Sequence, residues 1–168
     1  MALLCGWASQ SENKTANGRK GDQTKKEVKV GNYYNFGQDK VVRFKNPARG
    51  VKAGKAMMLL CKNDNIGYGQ KDRISLFNQC VAINWDIKKI SSIGLCNCDC
   101  SELCACAINF AYGKVVVPSN VCTRNFVEYT SVKKKANFKT VRSFSTSSLK
   151  PGDVVLKEGR HVIMVISK

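Results

Sequence analysis

Five of the chain's nine cysteines fall within eleven residues, in the run CNCDCSELCAC from Cys96 to Cys106. This run restricts the local fold to a metal site, a disulfide knot, or one reactive thiol among buried neighbours. Its cysteines are separated by one, one, three and one residues, whereas structural zinc sites use pairs about two residues apart, with a second pair or histidines at a distance. We therefore predict that the run binds no metal.

The sequence contains no signal for export or for membrane insertion. No segment reaches the roughly 18 apolar residues of a membrane span, and residues 1 to 7 lack the basic region and the length of a signal peptide. We therefore expect synthesis in the cytosol, where an odd number of cysteines stays mostly reduced and a disulfide framework is not predicted. The thiols of Cys61, Cys80 and Cys104 are predicted to be small buried hydrophobes.

The charge of the chain restricts its partners. Twenty-eight Lys and Arg residues against 12 Asp and Glu residues give a net charge of +16, which predicts a polyanionic partner. Three kinds of partner are polyanionic: nucleic acid, anionic lipid, and the bacterial wall with its teichoic acid and carboxylates. The basic residues are spread along the sequence and do not form one stripe or tail, which disfavours a dedicated nucleic-acid-binding protein.

Hydrophobic spacing predicts helices and strands within one domain of 168 residues. Helices are predicted for residues 47–61, 74–84 and 100–112, the third capped by Asp99 and ended by Gly113. Strands are predicted for residues 27–30, 40–44, 153–157 and 161–166, the last two as a hairpin, and the polar segment 9–29 is predicted to be a mobile arm. The second helix is predicted to bury Ile74, Leu76, Phe77, Cys80, Val81 and Ile83.

One cysteine of the run is in a position suited to chemistry. Cys100 is placed in the first turn of the third helix, where unpaired backbone N–H groups and the helix dipole lower the pKa of a thiol. The same N–H groups can face an oxyanion. His161, the only histidine, begins the last predicted strand and supplies an imidazole. We predict that Cys100 is a nucleophile and that His161 is its base.

These residues resemble a known family. DCS at 99–101 opening a helix, followed by GDVVL at 152–156 and HVIMV at 161–165, resembles the NlpC-type cysteine peptidases and the related CHAP amidases. The segments WAS at 7–9, GDQT at 21–24, EV at 27–28 and NIGYGQ at 65–70, with Arg73, resemble the catalytic domain of bacteriophage endolysins. The resemblance covers nearly the whole chain and divides it into a lysin-like N-terminal segment, 1–46, and a core, 47–168, that carries the cysteine and the histidine.

The resemblance implies a fold and a reaction. The fold is α+β and papain-like, with a helix-borne cysteine packed on an antiparallel sheet. The implied activity is bacteriolytic hydrolysis of a peptidoglycan amide, as an amidase or a D,L-endopeptidase, without a cofactor. The implied partners are peptidoglycan and anionic wall polymers, with no nucleic acid and no membrane span. The implied location is the cytoplasm of an infected bacterium at synthesis and the cell wall after release.

The resemblance also indicates a residue that orients the histidine. Family members usually carry a third polar residue on the strand after the histidine, whereas this sequence ends at Lys168. The orienting group therefore comes either from elsewhere in the sequence, with Asp22, Gln23 and Glu27 in the lysin-like N-terminal segment as the candidates, or from residues that follow Lys168 in a longer protein.

Four further residues are candidates for contact with substrate. Tyr68 and Gln70 precede the cysteine as groove residues do in the family, and Ser101 offers its backbone N–H to an oxyanion. Trp7 is either an aromatic exposed to peptidoglycan or a staple for the N-terminal segment.

Two other classes of protein fit parts of the sequence. The first is a basic nucleic-acid-binding protein without catalysis, in which Cys100 and His161 are dispensable. The second is a thiol enzyme that acts on a protein substrate, as an acyltransferase or a deamidase.

Overall fold

The computed structural model describes residues 2–168, which form eight strands and three α-helices. The strands are β1 (Leu4–Ala8), β2 (Val28–Asn32), β3 (Lys40–Phe44), β4 (Ile66–Tyr68), β5 (Cys96–Cys98), β6 (Phe138–Val141), β7 (Val154–Lys157) and β8 (His161–Ser167). The helices are α1 (Pro47–Cys61), α2 (Ile74–Ala82) and α3 (Cys100–Tyr112). Short helical turns occur at Ile87–Ser92, Glu128–Val132 and Thr146–Ser148. No helix within residues 2–168 is long and apolar enough to cross a membrane.

Six of the strands form one antiparallel sheet in the order β2-β1-β8-β7-β3-β6. The strands nearest the two ends of the sequence are therefore neighbours, with Gly6 opposite Met164 and Leu4 opposite Ser167. The other two strands, β4 and β5, pair in parallel, and β5 leads directly into α3. The fold is α+β, as the sequence predicts.

The helices α1 and α3 pack on one face of the large sheet. Along β8, Val162, Met164 and Ile166 belong to the core beneath these helices, while Ile163 and Val165 belong to a smaller core on the opposite face. This alternation follows from the two-residue period of a strand. Helix α3 is buried from its first residue to Ala111, so it lies inside the protein and not on its surface.

Most of the predicted elements are present. The cap by Asp99 and the left-handed end at Gly113 are as predicted, because the Asp99 side chain accepts the backbone N–H of Glu102 and Gly113 has φ +67°. The inward face of α2 is wrong in part, since Ile74 and Val81 are 47% and 45% exposed. Strands β1, β4, β5 and β6 were not predicted because they are short or lack strict alternation.

The segment from residue 9 to residue 27 is a loop tied to the rest of the protein. Gly21 donates its N–H to the carbonyl of Cys96 at 3.0 Å, and Gln70 donates its N–H to the carbonyl of Ala16 at 2.8 Å. A Cβ built on Gly67 would lie 2.2 Å from the carbonyl oxygen of Gly21, so β4 must carry glycine there. The prediction of a mobile arm is wrong, because backbone hydrogen bonds and close packing hold this loop against β4 and β5.

A buried ion pair joins β3 to the turn before β7. Nε and an Nη of Arg43 donate to the carboxylate of Asp153 at 2.9 and 2.6 Å, and the Asp153 side chain is 1% exposed. The backbone N–H of Lys150 donates to the same carboxylate at 2.9 Å. Asp153 therefore organises the turn before the β7–β8 hairpin that carries His161.

Replacement of Arg43 by Met tests this pair. It removes the cation and leaves the buried Asp153 carboxylate without its partner, so we expect the free energy of unfolding to fall by about 3 kcal/mol in urea denaturation. Lys157→Met is the control, because its pair with Asp39 has side chains 40% and 46% exposed. That variant is expected to lose less than about 1 kcal/mol. Equal losses in the two variants would contradict a structural role for the buried pair.

Candidate active site

Cys100 and His161 line one polar cavity of about 500 Å³, although 60 residues of sequence separate them. Helix α3 contributes its first turn to the cavity, and the β7–β8 hairpin contributes its second strand. The full lining is Ser9, Tyr68, Gln70, Arg73, Asp99, Cys100, Ser101, Cys122, Thr123, Arg124, Gly159, Arg160 and His161. The cavity thus contains a thiol, an imidazole, and several hydrogen-bonding and cationic groups.

The strand-to-helix junction fixes the position of Cys100. Strand β5 ends at Cys98, Asp99 caps the helix, and Cys100 follows as its first residue. The backbone N–H groups of Val162 on β8, of Ser101 and of Cys100 itself act on the Cys100 thiol and favour its ionised form. The thiol therefore lies where the start of α3 meets β8, next to Val162, the residue that follows His161.

Burial dominates the ionisation of this thiol. Cys100 is 8% exposed, and loss of hydration raises its pKa to about 12, with a further contribution from the Asp99 carboxylate. The three N–H groups lower the pKa but do not offset burial. The prediction that the helix terminus lowers this pKa below its ordinary value is therefore wrong, and the resting group is a thiol.

His161 is a neutral imidazole in the resting protein. Its ring contacts Phe36, with centroids 5.2 Å apart in an edge-to-face arrangement, and Tyr34, with centroids 6.4 Å apart. Burial lowers the pKa of His161 to about 4. Within the described part of the chain, the buried Nε2 atom has no hydrogen-bond partner. The imidazole is therefore uncharged at neutral pH, with Nε2 unoccupied by other protein groups.

An ion-pair network supports the start of α3. Arg73 contacts the Asp99 carboxylate at 3.1 Å and the Glu102 carboxylate at 2.9 Å. Glu102 is fully buried, and burial raises its pKa to about 8 even though Arg73 acts in the opposite direction. Arg73 also donates to the carbonyls of Ser119 and Val121, so one guanidinium joins the helix start to the loop after α3. This network fixes Asp99, and through it the first turn that carries Cys100.

Three of the four predicted substrate-contact residues line the cavity: Tyr68, Gln70 and Ser101. The Gln70 amide donates to the Tyr68 hydroxyl at 3.1 Å, and the Ser101 hydroxyl donates to Asp99 at 2.8 Å. Trp7 does not line the cavity and is 7% exposed, which contradicts an aromatic side chain exposed to substrate. Its ring packs on the Tyr34 ring, with centroids 5.1 Å apart, and Tyr34 in turn contacts the His161 ring.

The three candidates for orienting His161 lie outside the cavity lining and have other partners. The Asp22 carboxylate accepts the backbone N–H groups of Thr24, Lys26, Glu27 and Val28. The buried Glu27 carboxylate accepts the N–H groups of Gln23 and Tyr68 at 2.9 and 3.0 Å. These contacts organise the loop of residues 9–27 and fix the position of Tyr68, so the structure gives these residues a role in positioning the groove.

The strand beside β8 comes from the N-terminal segment of the described chain. Gly6 pairs with Met164, and continuing this antiparallel register places Ser9 at the level of His161. Ser9 also lines the cavity. Ser9 was not among the predicted site residues, because the pairing of β1 with β8 leaves no signal in local residue spacing.

One comparison with known proteins decides the family. The sequence profile of the endolysin-like domain matches residues 6–168, which is nearly the whole chain. The chain belongs to the endolysin-like domain family. No curated protein matches the chain. No solved structure matches it either.

The cysteine-rich run of this endolysin-like domain is part of its core. Cys96, Cys98, Cys104 and Cys106 are fully buried, and all nine cysteines are free thiols. No group of three or more His, Cys, Asp or Glu side chains within residues 2–168 is arranged to hold a metal ion. Of the predicted small hydrophobes, Cys80 and Cys104 are fully buried and Cys61 is partly buried. Within the run, only Cys100 lines the polar cavity.

The ionisation of His161 predicts how stability depends on pH. The unfolded imidazole binds a proton near pH 6.5 and the folded one near pH 4, so its contribution is complete above pH 6.5 and is lost as the pH falls toward 4. Between pH 7 and pH 4.5, the endolysin-like domain is expected to lose about 1–3 kcal/mol more of its free energy of unfolding than His161→Gln. Urea denaturation at the two pH values measures this difference. Identical losses would show that His161 is not buried as a neutral base.

Proposed function

We propose that this endolysin-like domain hydrolyses an amide bond of bacterial peptidoglycan, with Cys100 as nucleophile and His161 as general base and acid. The observation that carries the proposal is the meeting of these two side chains in one polar cavity of a family member. A cysteine at the first turn of a buried helix, beside a histidine at the start of an antiparallel strand, is also the arrangement expected of a papain-like hydrolase.

Attack begins from two neutral groups. Because the thiol has a raised pKa and the imidazole a lowered one, no thiolate–imidazolium pair is present before substrate binds. As the sulfur attacks the amide carbonyl carbon, its proton passes to His161, for which Nε2 is the unoccupied acceptor. The carbonyl π electrons move to oxygen and form the tetrahedral oxyanion.

Backbone groups at the start of α3 stabilise that oxyanion. The N–H groups of Cys100 and Ser101 belong to the first turn of α3 and act on the thiol in the resting protein. They can therefore donate to the oxygen of the carbonyl carbon that the sulfur attacks. His161 then protonates the leaving amine as the carbon–nitrogen bond breaks, and a thioester remains on Cys100. Water, deprotonated by His161, hydrolyses the thioester and restores both groups.

In this proposal the residue that follows strand β1, Ser9, supplies the group beside the imidazole. Ser9 lies at the level of His161 and lines the same cavity, while Phe36 and Tyr34 contact the ring. Aromatic contacts restrict ring rotation without adding a negative charge. This environment agrees with a histidine that is held in place and remains neutral.

The charge of +16 supports attraction to a polyanionic wall. We place synthesis in the cytoplasm of an infected bacterium and action at the wall after release. The bond that is cut is an amide of the muramoyl link or of the stem peptide, and both are compatible with one thiol and one imidazole.

Clearance of purified Gram-positive cell walls tests the function. We expect the unmodified protein to lower turbidity and to release fragments with a new amine terminus, which mass spectrometry identifies. Cys100→Ala and His161→Ala are each expected to reduce the rate at least about 1,000-fold, because both groups take part in bond breaking.

Cys61→Ala is the matched control, since it removes a thiol that lies outside the cavity. It is expected to clear walls at nearly the original rate. Equal clearance by all four proteins would overturn the catalytic roles of Cys100 and His161. Absence of clearance by the unmodified protein would overturn peptidoglycan hydrolysis.

A further inference from the structure

Two arginines at the mouth of the cavity have no anionic partner within residues 2–168. Arg124 and Arg160 both line the cavity and are exposed, and neither takes part in an ion pair. The third cavity arginine, Arg73, pairs with the Asp99 carboxylate and also contacts Glu102. The cavity therefore has an excess of positive charge close to its nucleophile.

Both guanidinium groups belong to the region around the β7–β8 hairpin. The Arg124 side chain lies along the turn, because a Cβ built on Gly159 would be 3.6 Å from its Cγ and 3.7 Å from its Nε. Arg160 directly precedes His161, and a Cβ built on Gly37 would be 3.7 Å from one of its Nη atoms. Gly159 has φ +71°, a left-handed conformation that favours glycine, and the Arg124 side chain lies within van der Waals range of this turn.

The surrounding acidic groups do not compensate these charges. Glu158, the carboxylate nearest in sequence, pairs with Lys40 at 2.7 Å. Asp99, which lines the cavity, pairs with Arg73. Two unpaired guanidinium groups at a substrate cavity are suited to a planar anion, because each offers N–H groups in a fork that matches a carboxylate.

We propose that Arg124 and Arg160 bind a free carboxylate of the substrate, so that the enzyme selects stem peptides with a carboxylate close to the bond that is cut. This inference rests on the proposed function and names the chemical class of its substrate. Amidation of that carboxylate removes the charge and converts two acceptor oxygens into one acceptor and a donor amide. Substrates amidated at this position are therefore poor substrates.

Two soluble muropeptides that differ only in this group, carboxylate in one and carboxamide in the other, test the proposal. We expect kcat/KM of the unmodified protein to favour the carboxylate by about tenfold, mainly through KM, because the two arginines are exposed and their charges are partly screened. Arg124→Gln and Arg160→Gln are each expected to reduce the preference severalfold. Arg160→Lys, which keeps the charge but loses the fork, is expected to retain part of it.

Arg142→Gln is the matched control. Arg142 is exposed, unpaired in the described structure, and outside the catalytic cavity, so this variant removes the same charge without touching the site. It is expected to keep the full preference. If Arg142→Gln loses the preference to the same extent, general attraction to the basic protein explains it and the proposal is overturned.

Binding to Cys100→Ala separates recognition from catalysis. Calorimetry with the two muropeptides is expected to show tighter binding of the carboxylate form, weakened by Arg160→Gln in the same background. Equal cleavage and equal binding of both forms would overturn the carboxylate proposal while leaving the proposed hydrolase in place. Cleavage of neither muropeptide, together with no clearance of cell walls, would overturn the proposed function itself.

Discussion

The burial of helix α3 against strand β8 is the constraint on which the rest of the structure depends. A helix buried around its whole circumference needs apolar or small side chains on every face, and cysteine and alanine supply them in this segment. Its N-terminal N–H groups must also find partners inside the protein. The Asp99 cap accepts the N–H of Glu102, and Arg73 compensates the charge of the cap. The Cys100 thiol therefore lies in the turn that this cap and Arg73 hold in place.

The same burial sets the chemistry of the site. It raises the pKa of Cys100 and lowers that of His161, so both groups rest in their neutral forms. In the proposed mechanism the thiol proton therefore passes to His161 only when substrate is bound. Positive charge is present at the rim, where Arg124 and Arg160 are exposed to solvent. The cavity thus places its two neutral groups in the interior and its exposed cations at the edge.

The sequence was most informative where signals are local. The helices carrying Pro47 and Cys100, the Asp99 cap and the hairpin before His161 each depend on residues within a few positions of one another. The positions of the Trp7 and Glu27 side chains depend on contacts with residues distant in sequence, which leave no local signal. The pKa of Cys100 was predicted in the wrong direction because a single sequence reveals a helix terminus but not how deeply the terminus is buried.

The position of β1 beside β8 has a consequence for how the protein folds during synthesis. Strands β1 and β8 lie at opposite ends of the described residues, yet they are neighbours in the sheet, and Leu4 pairs with Ser167. Pairing of such distant segments closes a long loop, which raises contact order and slows folding. Strand β1 therefore remains without its β8 partner until the residues of β8 have been synthesised. Until then the chain lacks the complete cavity that Cys100 and His161 line.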